Sequence, residues 1–239
     1  MKYVIEGEDC TLEQWLEKLN KNIVLIFHHL DLFKKLWQII KNNPNFKDKD
    51  VTLIEWMRES FTEDLVISIG KICDPDKRKQ TYSLVRFLNA LKEPCNSHYL
   101  SRKRYVRLRL SHVPEEEISL KKHILTLANK EFDSLAITGQ NSFSTDTILA
   151  DISRLIEDDP LKKIIKWRDT VMAHMDRKKL KLSITYEELF NTFDIIEEIV
   201  KKYNWLVLLT NGELVPVMQG NWKAVLTFPW IRKNNKPDN

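Results

Sequence analysis

Asp159-Pro160-Leu161-Lys162-Lys163-Ile164-Ile165-Lys166-Trp167-Arg168-Asp169-Thr170-Val171-Met172-Ala173-His174 reads as one helix. Asp159 and Pro160 suit the N-cap and first helical position, where a carboxylate caps free N–H groups and proline sacrifices no bond. Ile164, Trp167, Val171 and His174 then recur every three or four residues, the period of one helical face. The pattern predicts a helix over about 160–177.

The same signals repeat outward in both directions. Downstream, Thr185-Tyr186-Glu187-Glu188 has the spacing of a capping box and opens a long helix to about Leu209, stopped by Asn211-Gly212. Residues 212–239 form an extension, and Val, Thr, Trp and Phe around Gly220-Asn221 suit a short β-hairpin. Upstream, a short helix fits Asp146 to Ile156. Pro114-Glu115-Glu116-Glu117 places proline and carboxylates at the start of another, which runs to about Ile137 and breaks at Gly139. Thr11-Leu12-Glu13-Gln14 is a second capping box, opening an amphipathic stretch through Trp15, Leu19, Ile23, Ile26, Leu30, Phe33 and Trp37 to Asn42. A further helix fits Val51 to Ile72, ended by the turn signal Asp74-Pro75-Asp76, and a short one fits Ser83 to Leu91. Only residues 94–113 resist assignment: alternation in Tyr105-Val106-Arg107-Leu108-Arg109-Leu110 suits a strand or the exposed end of a helix. With 5 glycines in 239 residues, the turn-rich sandwiches and barrels are disfavoured. The reading is an all-α chain, 1–239 as one domain.

Hydrophobic residues at 43% and charged residues at 30% are ordinary for a globular protein. Cys10, Cys73 and Cys95 are too widely spaced for a zinc site or a disulfide framework, and a reducing cytoplasm is expected. Neither a signal peptide nor a membrane span is expected. Nucleotide-binding loops, zincin helices, serine-hydrolase elbows and clustered metal-binding carboxylates are absent, so no cofactor or metal is expected.

The net charge of +4 is concentrated. Arg102, Lys103, Arg104, Arg107 and Arg109 flank Tyr105, and Lys178, Lys179 and Lys181 follow the opening helix. Basic runs with an interleaved aromatic suit a phosphate backbone, and these eight residues are candidate RNA contacts.

Arg168 and His174 are the candidate chemical pair. Arginine offers a permanently charged fork that fits phosphate, and histidine exchanges protons near neutrality. RNA carries its own nucleophile in the 2′-hydroxyl, so a base, an acid and positive charge on the phosphorane suffice for cleavage. Asp169 could orient either partner. Six residues along a helix give about 9 Å of rise and about 120° of net rotation. One straight helix therefore cannot close both side chains on one phosphate. Either the helix breaks between them, or two copies meet about a two-fold axis and supply base and acid from the same residue type. Elsewhere, His28 and His29 read as packed or capping side chains, and tryptophans 15, 37, 56, 167 and 205 as core. Glu63 and Asp64 form a carboxylate pair, with Asp64 either facing an arginine inside the bundle or lying on an exposed edge.

The segment Arg168-Asp169-Thr170-Val171-Met172-Ala173-His174-Met175-Asp176, with five residues between arginine and histidine, resembles the signature of the HEPN superfamily. Its Ala-His-Met-Asp ending is similar to the abortive-infection, AbiU-type branch. Lys71-Ile72-Cys73-Asp74-Pro75-Asp76 followed by Tyr82-Ser83-Leu84 resembles that branch's helix end and short Ser-Leu helix. The resemblance implies an up-and-down helical bundle that dimerises about the motif helix, and a metal-independent ribonuclease of phage-defence or toxin–antitoxin type, with a possible antitoxin partner. It also admits non-catalytic members that bind RNA or protein. Arg168 and His174 take the motif roles, and Asp169 the polar position, where asparagine is more usual. A carboxylate there would pair with Arg168 or compete for it.

Overall fold

The computed structural model describes residues 2–42, 52–76, 81–136, 139–173 and 184–210. Among these residues the chain is all-α, as expected, apart from one short hairpin. Helix α1 spans Leu12–Asn42, α2 Thr52–Ile72, α3 Leu84–Leu91, α4 Arg102–Leu110, α5 Ile118–Leu135, α6 Thr145–Glu157, α7 Asp159–Ala173 and α8 Tyr186–Tyr203. No helix among the described residues is long and apolar enough to cross a membrane.

The core follows the apolar periodicity. Leu12, Trp15, Leu16, Leu19, Ile23, Ile26 and Leu30 make one buried stripe on α1. It meets Leu65, Val66 and Ile69 of α2, Phe87 and Leu88 of α3, and Phe193, Ile196 and Val200 of α8 in one contiguous core. Phe27 and Phe193 meet edge to face with ring centroids 5.5 Å apart, the geometry favoured by the ring quadrupoles. Trp15 is buried and Trp167 nearly so, but Trp56 is 63% exposed: α2 turns it away from the bundle, and helical spacing alone does not reveal which face that is.

Both capping boxes form as expected in outline. Thr185 Oγ1 accepts from the Glu188 N–H while the Glu188 carboxylate accepts from the Thr185 N–H. Thr11 and Gln14 make the corresponding exchange at α1. Three boundaries differ from expectation. Asp158, not Asp159, caps α7, with its carboxylate accepting from Leu161 N–H at 2.9 Å. Pro114 to Glu117 forms turns, and α5 begins only at Ile118. The last helix ends at Tyr203 in a π-helical turn over Asn204–Leu208, closed by Leu209 at φ 56°.

The basic segment at 94–113 is helical. A 3-10 turn over Pro94–Leu100 leads into α4, whose N-cap is Ser101 accepting from Arg104 N–H. The alternation at 105–110 is therefore not a strand. It lies in a helix that buries Arg104 and Tyr105 and leaves Lys103 and Arg107 exposed, so charge does not sort to one face. A hairpin absent from the sequence reading occupies the other end of the chain: Tyr3–Ile5 pairs antiparallel with Glu8–Cys10. Glu6 and Gly7 turn it at φ 52° and 83°, the left-handed pair that a two-residue hairpin requires. The suggested C-terminal hairpin and the extension at 212–239 lie outside the described residues.

Candidate active site

Arg168 leaves α7 where that helix packs against α2. Its side chain runs across Gly70, and a Cβ at position 70 would sit 2.9 Å from Arg168 Cδ. Glycine is thus what lets the two helices approach closely enough for the guanidinium to pass. Nη1 donates to the carbonyl oxygen of Gly70. Nη2 lies 3.1 Å from Asp74 Oδ2, and both side chains are buried, at 4% and 6% exposure. Nε and Nη2 donate to Asp169 Oδ1 at 3.0 and 2.6 Å. The charge is matched on two sides, which a buried arginine requires.

Asp74 is itself held in place. Its Oδ1 accepts from Asp76 N–H at 3.0 Å, and its main-chain oxygen accepts from Ser83 Oγ at 2.6 Å. Ser83 also caps α3. The Asp-Pro turn, the Ser-Leu helix and the arginine of the motif are therefore one hydrogen-bonded unit. Sequence reasoning quoted Asp74 only as a turn residue and passed over Gly70. No local pattern signals either role: Gly70 lies within α2, Asp74 lies past its end, and both meet Arg168 only through the packing of α7 on α2.

The Nε–Nη2 edge of the guanidinium carries the exposed partner. It is covered by Asp169, whose side chain is 54% exposed, whereas the Nη1 side faces the bundle. A bidentate anion would dock on this edge. It would have to displace the carboxylate already there. Neighbouring Cys73 is fully buried, and burial, followed by the charge of Asp158, pushes its thiol well above the ordinary range, with Arg168 only partly opposing. It is a packed neutral thiol, not a nucleophile.

Helix α7 runs unbroken past Arg168 to Ala173. No bend therefore brings Arg168 toward position 174 within the described helix. His174, and with it Lys178, Lys179 and Lys181, lies outside the described residues. Of the five basic residues at 102–109, three are engaged internally. Arg102 is ion-paired with Asp133 and donates to Gln140 O. Arg104 is 9% exposed, contacts Glu13 at 3.2 Å and donates to Val207 O at 3.1 Å. Arg109 pairs with Glu131 at 2.9 Å. Lys103 and Arg107 are the exposed pair. Asp64 pairs with His29 Nδ1 at 2.8 Å on the surface rather than with an arginine inside the bundle, and Glu63 is exposed beside it.

No curated protein and no solved structure matches the chain. One family model does, HEPN_AbiU2, described as AbiU2, over residues 9–225. That span holds both the Arg168 segment and the Asp74 turn that anchors it. The chain belongs to the AbiU2 family of HEPN proteins.

Proposed function

We propose that this chain is a metal-independent endoribonuclease, an abortive-infection or toxin–antitoxin effector acting on cytoplasmic RNA. The observation that carries the reading is the anchored Arg168. Its Nε–Nη2 edge already holds an anionic group, the Asp169 carboxylate, and it sits on the motif helix of a HEPN family member, which supports the reading. In this reading a two-fold dimer about α7 brings two Arg168–His174 sets together, which suits a helix that does not bend between residues 168 and 173. One His174 takes the 2′-hydroxyl proton and the other protonates the leaving 5′-oxygen. Arg168 stabilises the phosphorane once the phosphate has displaced Asp169 from the Nε–Nη2 edge. Lys178, Lys179 and Lys181 hold the flanking strand.

The test is cleavage of mixed cellular RNA by the purified chain in EDTA, read by 2′,3′-cyclic phosphate ends. His174→Ala should abolish those ends and preserve the helical spectrum and oligomeric state. Unchanged cleavage by that variant would remove His174 from the mechanism. A second reading, a non-catalytic HEPN module, is favoured by one observation: Arg168 is 3% exposed and committed to two carboxylates. Salt-sensitive RNA binding with no cyclic-phosphate products would decide for it.

A further inference from the structure

Helices α4 and α5 pack against each other as a pair, and between them lies a groove of about 480 Å³. Val106, Leu110 and Leu125 line it with apolar surface, and Lys103 and Arg107 stand on its rim. Lys103, Val106, Arg107 and Leu110 fall at i, i+3, i+4 and i+7, so they share one face of α4. On α5, Ile118, Lys122 and Leu125 share a face in the same way. Ile118 is 65% exposed and Leu125 42%, so the apolar surface continues past the groove toward the start of α5. The carboxylates facing this region are already used: Asp133 holds Arg102, and Glu131 holds Arg109. Glu115, Glu116 and Glu117 lie exposed in the turn at the far end. Lys103 and Arg107 make no ion pair among the described residues.

We infer that this groove receives an acidic, amphipathic helix from a second protein. Apolar side chains of that helix would cover Val106, Leu110 and Leu125, and its flanking carboxylates would meet Lys103 and Arg107, the helix-in-groove mode of recognition. RNA fits less well: among the described residues no aromatic ring lines the groove for a base to stack on, and its apolar lining is aliphatic. The part of the basic run left over by internal ion pairs thus serves a protein, and this inference stands apart from the nuclease reading.

The test uses the full chain and three probes, read by fluorescence polarisation. The first is a labelled synthetic helix with leucines on one face and glutamates along both flanks. The second carries lysines in place of the glutamates, and the third is a uridine-rich RNA oligonucleotide. The glutamate helix should bind at least about tenfold more tightly than the lysine helix, and Lys103→Glu with Arg107→Glu should invert that preference. Leu125→Asp should weaken both helices. All three altered residues are exposed, so the variants should keep the parent's helical spectrum. Equal affinity for the two helices overturns the inference. So does indifference to Leu125→Asp, displacement of the helix by the RNA, or self-association of the chain that Leu125→Asp abolishes. No readout involves RNA cleavage, so this inference and the proposed activity can fail separately.

Discussion

Arg168 is a buried charge held by matched partners, and its burial depends on keeping them. Three donations tie it to Gly70 and Asp169, an ion pair ties it to Asp74, and that pair is shielded from water. Removing one partner of such a pair strands the other. Asp74→Asn should destabilise the chain by about 3 kcal/mol, the low end of the usual range because Asp169 still faces the guanidinium. Urea unfolding checks this, and Arg168→Met on the Asp74→Asn background should recover part of the loss. Asp169 plays the opposite part. If it occupies the edge meant for phosphate, Asp169→Asn should raise kcat/KM for RNA cleavage by about threefold to tenfold, since a neutral amide competes less for the guanidinium. A fall of similar size would make Asp169 the group that holds Arg168 in its working position.

At the scale of elements, the legible parts were those with local causes. Helix α8 begins where Thr185 and Glu188 say it should, because a capping box is a contact between neighbours. Thr185→Ala should cost about 1 kcal/mol of stability in thermal or urea unfolding, with the rest of the fold unchanged. Helix α7 was legible by its apolar period, but its cap was misplaced by one residue because Asp158 and Asp159 offer the same chemistry side by side. The strand-like alternation at 105–110 was ambiguous for a different reason. Arg104 and Tyr105 are buried by contacts from distant segments: Arg104 reaches Glu13 and Val207, and Tyr105 donates to Glu131 at 3.1 Å. No local rule reveals that a basic run spends three of its charges inward. The N-terminal hairpin was missed because its strands are three residues each and its turn rests on Glu6-Gly7, a weaker signal than Asn-Gly or Asp-Gly. Of the site, the sequence pattern named Arg168 and Asp169. It could not supply Asp74 and Gly70 as partners, since only the docking of α2 on α7 makes them neighbours.

The whole molecule is held by several carboxylates whose folded state favours ionisation. Burial works against Glu13, yet the hydroxyl of Tyr99, hydrogen bonds from the backbone and Thr11, and last the charge of Arg104 together outweigh it and keep its pKa below the ordinary value. Arg154 does the same for Glu198, and Arg102 for Asp133. A depressed folded pKa adds stability that is fully present above the unfolded value, about 4 for these groups, and is lost as pH falls through the lower folded value. Stability should therefore be flat near neutrality and fall as pH drops below about 4. Urea midpoints measured from pH 7 to pH 3 test this, and Glu13→Gln should flatten the acid side of the curve. A midpoint that rises on acidification would contradict the linkage.

The hydrogen bond from Arg168 to Gly70 joins positions 98 residues apart. Closing so long a loop is entropically expensive and comes after local helices have formed. During synthesis, α2 and the Asp74 turn leave the ribosome well before α7 exists to meet them. A growing chain can therefore be extensively helical and still own no seated guanidinium. The arrangement acts as a built-in delay: the seat of Arg168 between α2 and α7 cannot assemble until translation has passed residue 168.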